Sequence, residues 1–409
     1  MPFSENRWCH ANRIDIQYGA CHKCPMDTKT ITRHQFFLED ARTMTGVEDQ
    51  SVHLVITSPP YPMIEMWDDH FSASNVAIAD ALSRSDADPA FELMHQELDD
   101  IWRELHRVLA RGGIVCINIG DATRTIQGNF RLYANHARVI QSLQSLGFSQ
   151  LPTILWRKTT NAPNKFMGSG MFPPGAYVTL EHEYILIFRK GAKREFVTDE
   201  QKSIRRESAY FWEERNQWFS DVWTGLPGTM QNLNLADARR RSAAFPLALP
   251  YRLINMFSVK GDMVLDPFLG SGTTMLAAMC AGRNTLGYEI QPELQPALLE
   301  RIAGVADTAQ ELIDERLAAH HLFIKERTAS KGDLKYVNRH YGFAVMTRQE
   351  QELCLDRVHT IQFQSGNCFT VEYVNPAIAN RPERPPAPDA ESPTRMAVRP
   401  TRGRQLKLF

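Results

Sequence analysis

The chain has 409 residues, room for one large domain with insertions or for two domains. Apolar residues make up 43% and charged residues 23%, enough for a substantial core, and no run of eighteen apolar residues is present to cross a membrane. The formal net charge is −1, so any contact with nucleic acid has to rest on local positive charge.

Residues 1–33 are polar and irregular and read as an N-terminal extension. The opening MPFSENRWCH has neither the basic nor the apolar region of a secretory signal. Cys9, Cys21 and Cys24 lie near His10 and His22, but only one Cys-x-x-Cys half is present, so no bound metal is expected. The remaining cysteines, Cys116, Cys280, Cys354 and Cys368, are scattered through apolar stretches. That is the pattern of a reduced, cytoplasmic protein.

Regular patterning starts at His34–Leu38, which reads as a strand, followed by a buried strand at Ser51–Thr57 that stops at Ser58-Pro59-Pro60. Residues 67–90 read as a polar loop. Across 91–110 the apolar positions Leu98, Ile101, Leu105, Val108 and Leu109 keep helical spacing, and Gly112-Gly113 reads as the helix end. Ile114–Ile119 is a strand, Tyr133–Leu146 a helix, and Leu151–Trp156 and Tyr184–Phe188 are strands. Residues 189–245 are rich in Arg and Trp with weak periodicity. Then come a helix at Leu247–Phe257, a strand at Met263–Leu265, a helix at Gly272–Ala281, a strand at Thr285–Tyr288 and helix across 292–328. Strands are expected at Tyr341–Val345, Thr360–Phe363 and Phe369–Val374, and the proline-rich, basic residues 376–409 read as a disordered tail. Strands alternating with helices predict an α/β protein with a mostly parallel, doubly wound sheet.

Two segments carry chemistry. Thr57-Ser58-Pro59-Pro60-Tyr61-Pro62 follows a buried strand. It could be a proline-stiffened turn and nothing more. Yet it offers a hydroxyl (Ser58), a carbonyl fixed by the following proline (Pro59) and a flat ring (Tyr61), which together can grip a planar heterocycle carrying an exocyclic amine. The second segment, Val264–Thr274, also follows a strand and opens a helix. Gly270 and Gly272 permit a tight turn and close approach of a ligand. No lysine follows them, which argues against a phosphate-cradling loop, and a third glycine of the dinucleotide fingerprint is missing. Glu289 stands at the end of the next strand, where a carboxylate can accept from ribose hydroxyls. A nucleoside without pyrophosphate fits, and S-adenosylmethionine is such a molecule.

On these residues the chain resembles the prokaryotic amino-group DNA methyltransferases of the class whose catalytic motif precedes the cofactor motif. The resemblance covers about residues 34–300. It implies a Rossmann-like, S-adenosylmethionine-dependent methyltransferase fold with an inserted target-recognition region at about 157–240. It implies catalytic roles for Ser58, Pro59, Pro60 and Tyr61. It places the cofactor among Asp40, Phe245, Pro246, Asp266, Phe268, Gly270, Gly272, Thr273, Thr274 and Glu289. Trp156-Arg157-Lys158 and Glu183–Lys190 resemble the paired strands that close the sheet. In this family Ser at the first catalytic position goes with cytosine N4, and Asp or Asn with adenine N6. The expected activity is site-specific methylation of cytosine N4 in duplex DNA, within a restriction–modification system. Adenine-N6 methylation and a catalytically silent DNA-binding module are the alternatives.

The chemistry is consistent with that expectation. The lone pair of a cytosine amine is conjugated with the ring, and acceptors at Ser58 and at the Pro59 carbonyl would pull the nitrogen toward a pyramidal, nucleophilic form. A base inside a duplex must flip out to reach such a pocket. Residues 189–206 hold seven Lys or Arg against three acids. From this stretch and the Arg239–Arg241 run, Arg194, Arg205, Arg206 and Arg240 are expected to contact DNA phosphates. The other expectations are a C-terminal helical and strand extension at 301–375, a monomer or weak dimer, and a cognate restriction endonuclease as candidate partner.

Overall fold

The computed structural model describes residues 30–158, 167–226 and 245–375. Its first half contains β1 (Thr30–Phe37), β2 (Val52–Thr57), α1 (Asp68–Ser74), α2 (Val76–Ser83), α3 (Ala87–Val108), β3 (Leu109–Ile119), β4 (Ala122–Ile126), β5 (Asn129–Tyr133), α4 (Asn135–Ser145), β6 (Phe148–Gln150), β7 (Ile154–Arg157), β8 (Met167–Gly168), β9 (Ala176–Tyr177) and β10 (His182–Lys190). There follow α5 (Asp199–Glu207), α6 (Trp212–Trp218), β11 (Val222–Trp223), α7 (Ala248–Phe257), β12 (Met263–Asp266), α8 (Thr273–Cys280), β13 (Asn284–Tyr288), α9 (Gln295–Ala303), α10 (Val305–Lys331), β14 (Tyr336–Val337), β15 (Ala344–Val345), β16 (Arg357–Ser365) and β17 (Cys368–Val374).

Most strands join one sheet in the order β11-β7-β10-β3-β2-β12-β13-β1-β17-β16, with β6 also on β10. The five central strands, β3-β2-β12-β13-β1, are parallel, and β10 and β17 close them antiparallel on the two sides. From β2 the chain winds through α3 to β3 on one side, and from β12 through α8 to β13 on the other. The junction of β2 and β12 is therefore the topological switch point, where ligands sit beyond the carboxyl ends of the strands. The doubly wound expectation holds.

Alternation along each strand splits the core in two. Leu54, Ile56, Ile114 and Cys116 face α7–α10, whereas Val55, Val115, Ile117 and Leu265 face α1–α4. Each such buried side chain contributes roughly 1.5–3 kcal/mol of transfer free energy, which fixes the register on which the site depends.

Several elements depart from the sequence expectation. Residues 68–83 are helical, because Asn75 caps α2 by accepting from the Ala77 amide and Phe71, Ile78 and Ala81 reach the core. Gly112-Gly113 lies inside β3, where Gly112 takes φ +82° and the Arg194 backbone packs so closely that a Cβ would clash. The helical stretch after 292 breaks at Gly304 into α9 and α10. Within the C-terminal extension, β17 pairs with β1 from Thr30 to Gln35 and so joins the central sheet. Trp218 and Trp223 are core residues, while Trp212 is partly exposed and stacks on Phe323. Residues 1–29, with Cys9, Cys21 and Cys24, and the tail 376–409 lie outside the described residues.

The long α10 is fastened by a buried ion pair. Arg316 donates from Nε and Nη2 to both oxygens of Glu214 on α6, and from Nη1 to the Tyr251 hydroxyl on α7. Removing one partner of a buried pair strands the other charge, at a cost of about 3–5 kcal/mol. Glu214→Ala should lower the unfolding free energy by about that amount in urea titrations. A loss of under about 1 kcal/mol would show that water reaches and solvates Arg316.

Candidate active site

The two chemistry-bearing turns leave neighbouring parallel strands at the same edge. Asp266 ends β12 and is buried. Its Oδ1 accepts from Thr57 Oγ1 at 2.7 Å, joining it to the last residue of β2, and from the Phe268 amide at 3.1 Å. Its Oδ2 accepts from Thr274 Oγ1 at 2.7 Å in the first turn of α8. Burial raises the Asp266 carboxyl to about 6, against the pull of these hydrogen bonds.

The glycine loop is built for close approach. Gly270 and Gly272 take φ of +54° and +80°, a region that L side chains rarely occupy. A Cβ on Gly272 would lie 2.0 Å from Leu298 Cδ1, whereas one on Gly270 would meet only the Phe268 carbonyl at 4.0 Å. The space over Gly270 is open. Glu289, half-buried at the end of β13, accepts from the Gly270 amide and the Gln291 amide, both at 2.8 Å. Burial moves its carboxyl upward. Arg301 on α9 donates to the Ser271 carbonyl and hydroxyl and to Thr273 Oγ1, closing the loop from outside.

Beside this loop stands the Ser58–Tyr61 turn. Ser58 Oγ lies 3.1 Å from the Tyr61 hydroxyl. That hydroxyl donates to Glu183 Oε2 at 3.1 Å and accepts from Asn118 Nδ2 at 2.9 Å. Asn118 also donates to Glu183 Oε2 at 2.7 Å, and Lys158 Nζ donates to Glu183 Oε1 at 2.6 Å. Burial, reinforced by the Glu183 charge, pushes the Tyr61 phenol well above its usual value, so it is a neutral hydroxyl. The Ser58 hydroxyl and the Tyr61 ring therefore stand in one hydrogen-bonded turn beside an open glycine loop flanked by the Glu289 carboxylate.

Comparison with known proteins agrees with this geometry. The DNA methylase family of N6 and N4 methyltransferases matches residues 52–300, more than half of the chain. This chain belongs to the DNA methylase family. It is 50% identical over 348 residues to the Type II methyltransferase M.MthZI of Methanothermobacter thermautotrophicus, covering 84% of this chain and 97% of that protein. It is 49% identical over 288 residues to the Type II methyltransferase M.MjaI of Methanocaldococcus jannaschii, covering 68% and 93%. Among solved structures, a Thermus thermophilus protein described as a DNA modification methylase, complexed with S-adenosyl-L-methionine, is similar with a TM-score of 0.52 at 33% identity, covering 66% of this chain and 95% of that one.

The methylase brings most of the expected residues to one edge. Ser58, Pro59, Pro60 and Tyr61 form the turn; Phe268, Gly270, Gly272, Thr273 and Thr274 form the loop; Glu289 flanks it. Asp266 is different in kind, since its oxygens are engaged by Thr57, Thr274 and Phe268. Asp40 follows β1 at the same edge, where Phe37 accepts from the Glu289 amide. Arg42 binds both Asp40 oxygens; burial works the other way, but the Arg42 hydrogen bonds and charge hold the carboxyl below its usual value. Phe245 is buried in the core and Pro246 precedes α7.

The basic stretch does not lie beside the two turns. β10 runs antiparallel to β3, with Tyr184 opposite Ile119 and Arg189 opposite Ile114, so the chain leaves β10 at the edge away from Ser58. Arg194 there makes an ion pair with both oxygens of Asp262, which precedes β12. Arg205 lies over the Phe196 ring, and Arg206 belongs to the same helix, whose C-cap Ser208 accepts from the Lys260 amide. Counting charges along the chain cannot tell which edge of a sheet they reach. Arg240 lies outside the described residues. Sequence reasoning missed Asn118, Lys158, Glu183 and Arg301 as parts of the site; only the topology brings them to the two turns.

The Asp266 shift has a testable sign. Its folded value of about 6 exceeds the ordinary 3.8, so ionisation opposes folding. Stability is fullest below the unfolded value and is lost as pH rises through the folded one. Asp266→Asn abolishes that ionisation. Relative to the parent, the variant should gain on the order of 3 kcal/mol between about pH 4 and about pH 7, measured by urea unfolding without cofactor. A difference that stays flat with pH would place the proton elsewhere.

Proposed function

We propose that this chain is a site-specific, S-adenosylmethionine-dependent DNA methyltransferase of a Type II restriction–modification system that modifies the exocyclic N4 of cytosine. The observation that carries the reading is the 2.7 Å bond from Thr57 to Asp266. It locks the amine-gripping turn against the glycine loop at the switch point. The named relatives are Type II methyltransferases, and the chain spans nearly the whole of each.

The loop residues fit the cofactor. Gly270 leaves open space, and Glu289 presents a half-buried carboxylate to ribose hydroxyls. When bound, S-adenosylmethionine supplies an electrophilic sulfonium methyl. The chain's own work is to orient the amine. Ser58 Oγ and the Pro59 carbonyl accept its two N–H bonds, and the Tyr61 ring supports the base, a contact worth about 1–3 kcal/mol. Ser at position 58 in the family motif favours cytosine over adenine.

The DNA face lies at the edge where these groups open. The β4–β5 hairpin follows β3 there, and residues 167–178 lie between the ends of β7 and β10 at that edge. Arg131 and Arg157 are exposed, as are Met171 and Phe172. These groups suit phosphate contact and insertion beside a displaced base.

Two experiments test the reading. Genomic DNA from a host expressing the chain, digested to nucleosides, should contain N4-methylcytosine; N6-methyladenine instead would transfer the assignment to the adenine enzymes, and neither would remove the activity. On the site so found, Ser58→Ala should slow single-turnover methylation by roughly two to three orders of magnitude with cofactor affinity nearly unchanged. The DNA face is checked by salt titration. Arg131→Ala with Arg157→Ala should reduce the log–log salt slope by about 1.8, whereas Arg205→Ala with Arg206→Ala should leave it alone. The reverse pattern would put the duplex on the other edge.

A further inference from the structure

The Tyr61 hydroxyl has one hydrogen and three polar neighbours. Glu183 Oε2 is 3.1 Å away, Ser58 Oγ 3.1 Å and Asn118 Nδ2 2.9 Å. Asn118 Nδ2 can only donate. Glu183 is held as a carboxylate by Lys158 on its other oxygen, so it can only accept. The single Tyr61 hydrogen therefore goes to Glu183, since any other choice would set a hydroxyl oxygen against a carboxylate oxygen without a proton between them. Ser58 then has to donate its own hydrogen to Tyr61 at 3.1 Å. Both remaining lone pairs of Ser58 Oγ are left for the substrate.

Asn118 shows how firmly this polarity is held. Its Oδ1 is buried with no hydrogen-bond partner. Turning the amide over would aim that oxygen at Glu183 and at Tyr61, so the side chain keeps its nitrogen in the network and leaves the oxygen unpaired.

We propose that Glu183, acting through Tyr61, fixes the Ser58 hydroxyl as a hydrogen-bond acceptor and thereby makes the pocket select an exocyclic amine. Glu183 is a positioning residue, since it acts through Tyr61 and Ser58. A serine hydroxyl is otherwise ambivalent: it could donate to the ring nitrogen beside the amine, or to the carbonyl of a keto base. With its hydrogen committed to Tyr61, Ser58 meets an N–H productively and a carbonyl or ring nitrogen repulsively. The inference rests on the amino-methylation reading above.

The test uses the full chain and duplex DNA carrying its own methylated site. Glu183→Gln keeps size and shape but adds an amide nitrogen that can donate to Tyr61, turning the chain of hydrogen bonds around. Single-turnover methylation should fall about a hundredfold, with cofactor and DNA affinity held within about threefold. Glu183→Asp, which keeps the carboxylate, should recover part of the rate. In a Ser58→Ala background, Glu183→Gln should cost less than about threefold more, because its effect passes through Ser58. A parental rate in Glu183→Gln, or losses that multiply in the double variant, would overturn the proposal. A neutron structure decides the polarity without any activity: deuterium from Ser58 directed at the Tyr61 oxygen supports it, and deuterium directed away from Tyr61 overturns it. A chain that methylates no DNA but shows that orientation would lose the amino-methylation reading and keep the hydrogen-bond polarity.

Discussion

The site depends on one buried carboxylate. Asp266 holds the end of β2 through Thr57, the glycine loop through the Phe268 amide and the start of α8 through Thr274. Thr57 and Asp266, 209 positions apart in the chain, are thereby set within one hydrogen bond of each other. The protein keeps a group whose ionisation is opposed by burial, because its three donors give the two turns a fixed separation. A group that transfers between two ligands needs that separation to be constant, and side-chain packing alone would leave it softer.

The rest of the architecture guards the same edge. Five parallel strands carry both turns to one side, and the antiparallel β10 returns with its first residues there, which is how Glu183 reaches Tyr61. On the far flank β17 and β16 cover β1, so the edge of the parallel sheet is not left open for pairing with another chain. Arg316, Glu214 and Tyr251 fasten α10 to α6 and α7.

Much of this was legible in sequence wherever the signal was local. The two turns are contiguous, follow apolar strands and carry residue types whose chemistry is specific, so the Ser58 turn, the Gly270–Gly272 loop and Glu289 could be read directly. The amphipathic α3 was equally plain from Leu98, Ile101 and Leu105. What sequence could not show was non-local. The hairpin β16–β17 looks like an appendage until its register with β1 is known. Arg194 and Arg205 sit in a basic run, yet the direction of β10 takes them to the edge opposite Ser58. Glu183 and Asn118 belong to no motif; Asn118 stands between Ile117 and Ile119 near the end of β3 and Glu183 beside His182 at the start of β10, a pattern that also fits an ordinary hydrogen-bonded strand position.

Counting acceptor capacity separates the roles of the acidic groups. A carboxylate offers about four lone-pair directions. Asp266 uses three of them on the protein and is buried, which leaves little for a ligand. Glu183 likewise takes Lys158, Asn118 and Tyr61. Asp40 is gripped by Arg42 on both oxygens yet is only half-buried. Glu289 accepts only from backbone amides, with no cation on it, and stays half-buried beside the open space over Gly270. The groups that touch ligands and the groups that hold them thus differ less in residue type than in how many of their lone pairs the fold has already used. Ser58 is the extreme case: its one hydrogen is spent inward, and what it shows to the outside is acceptor alone.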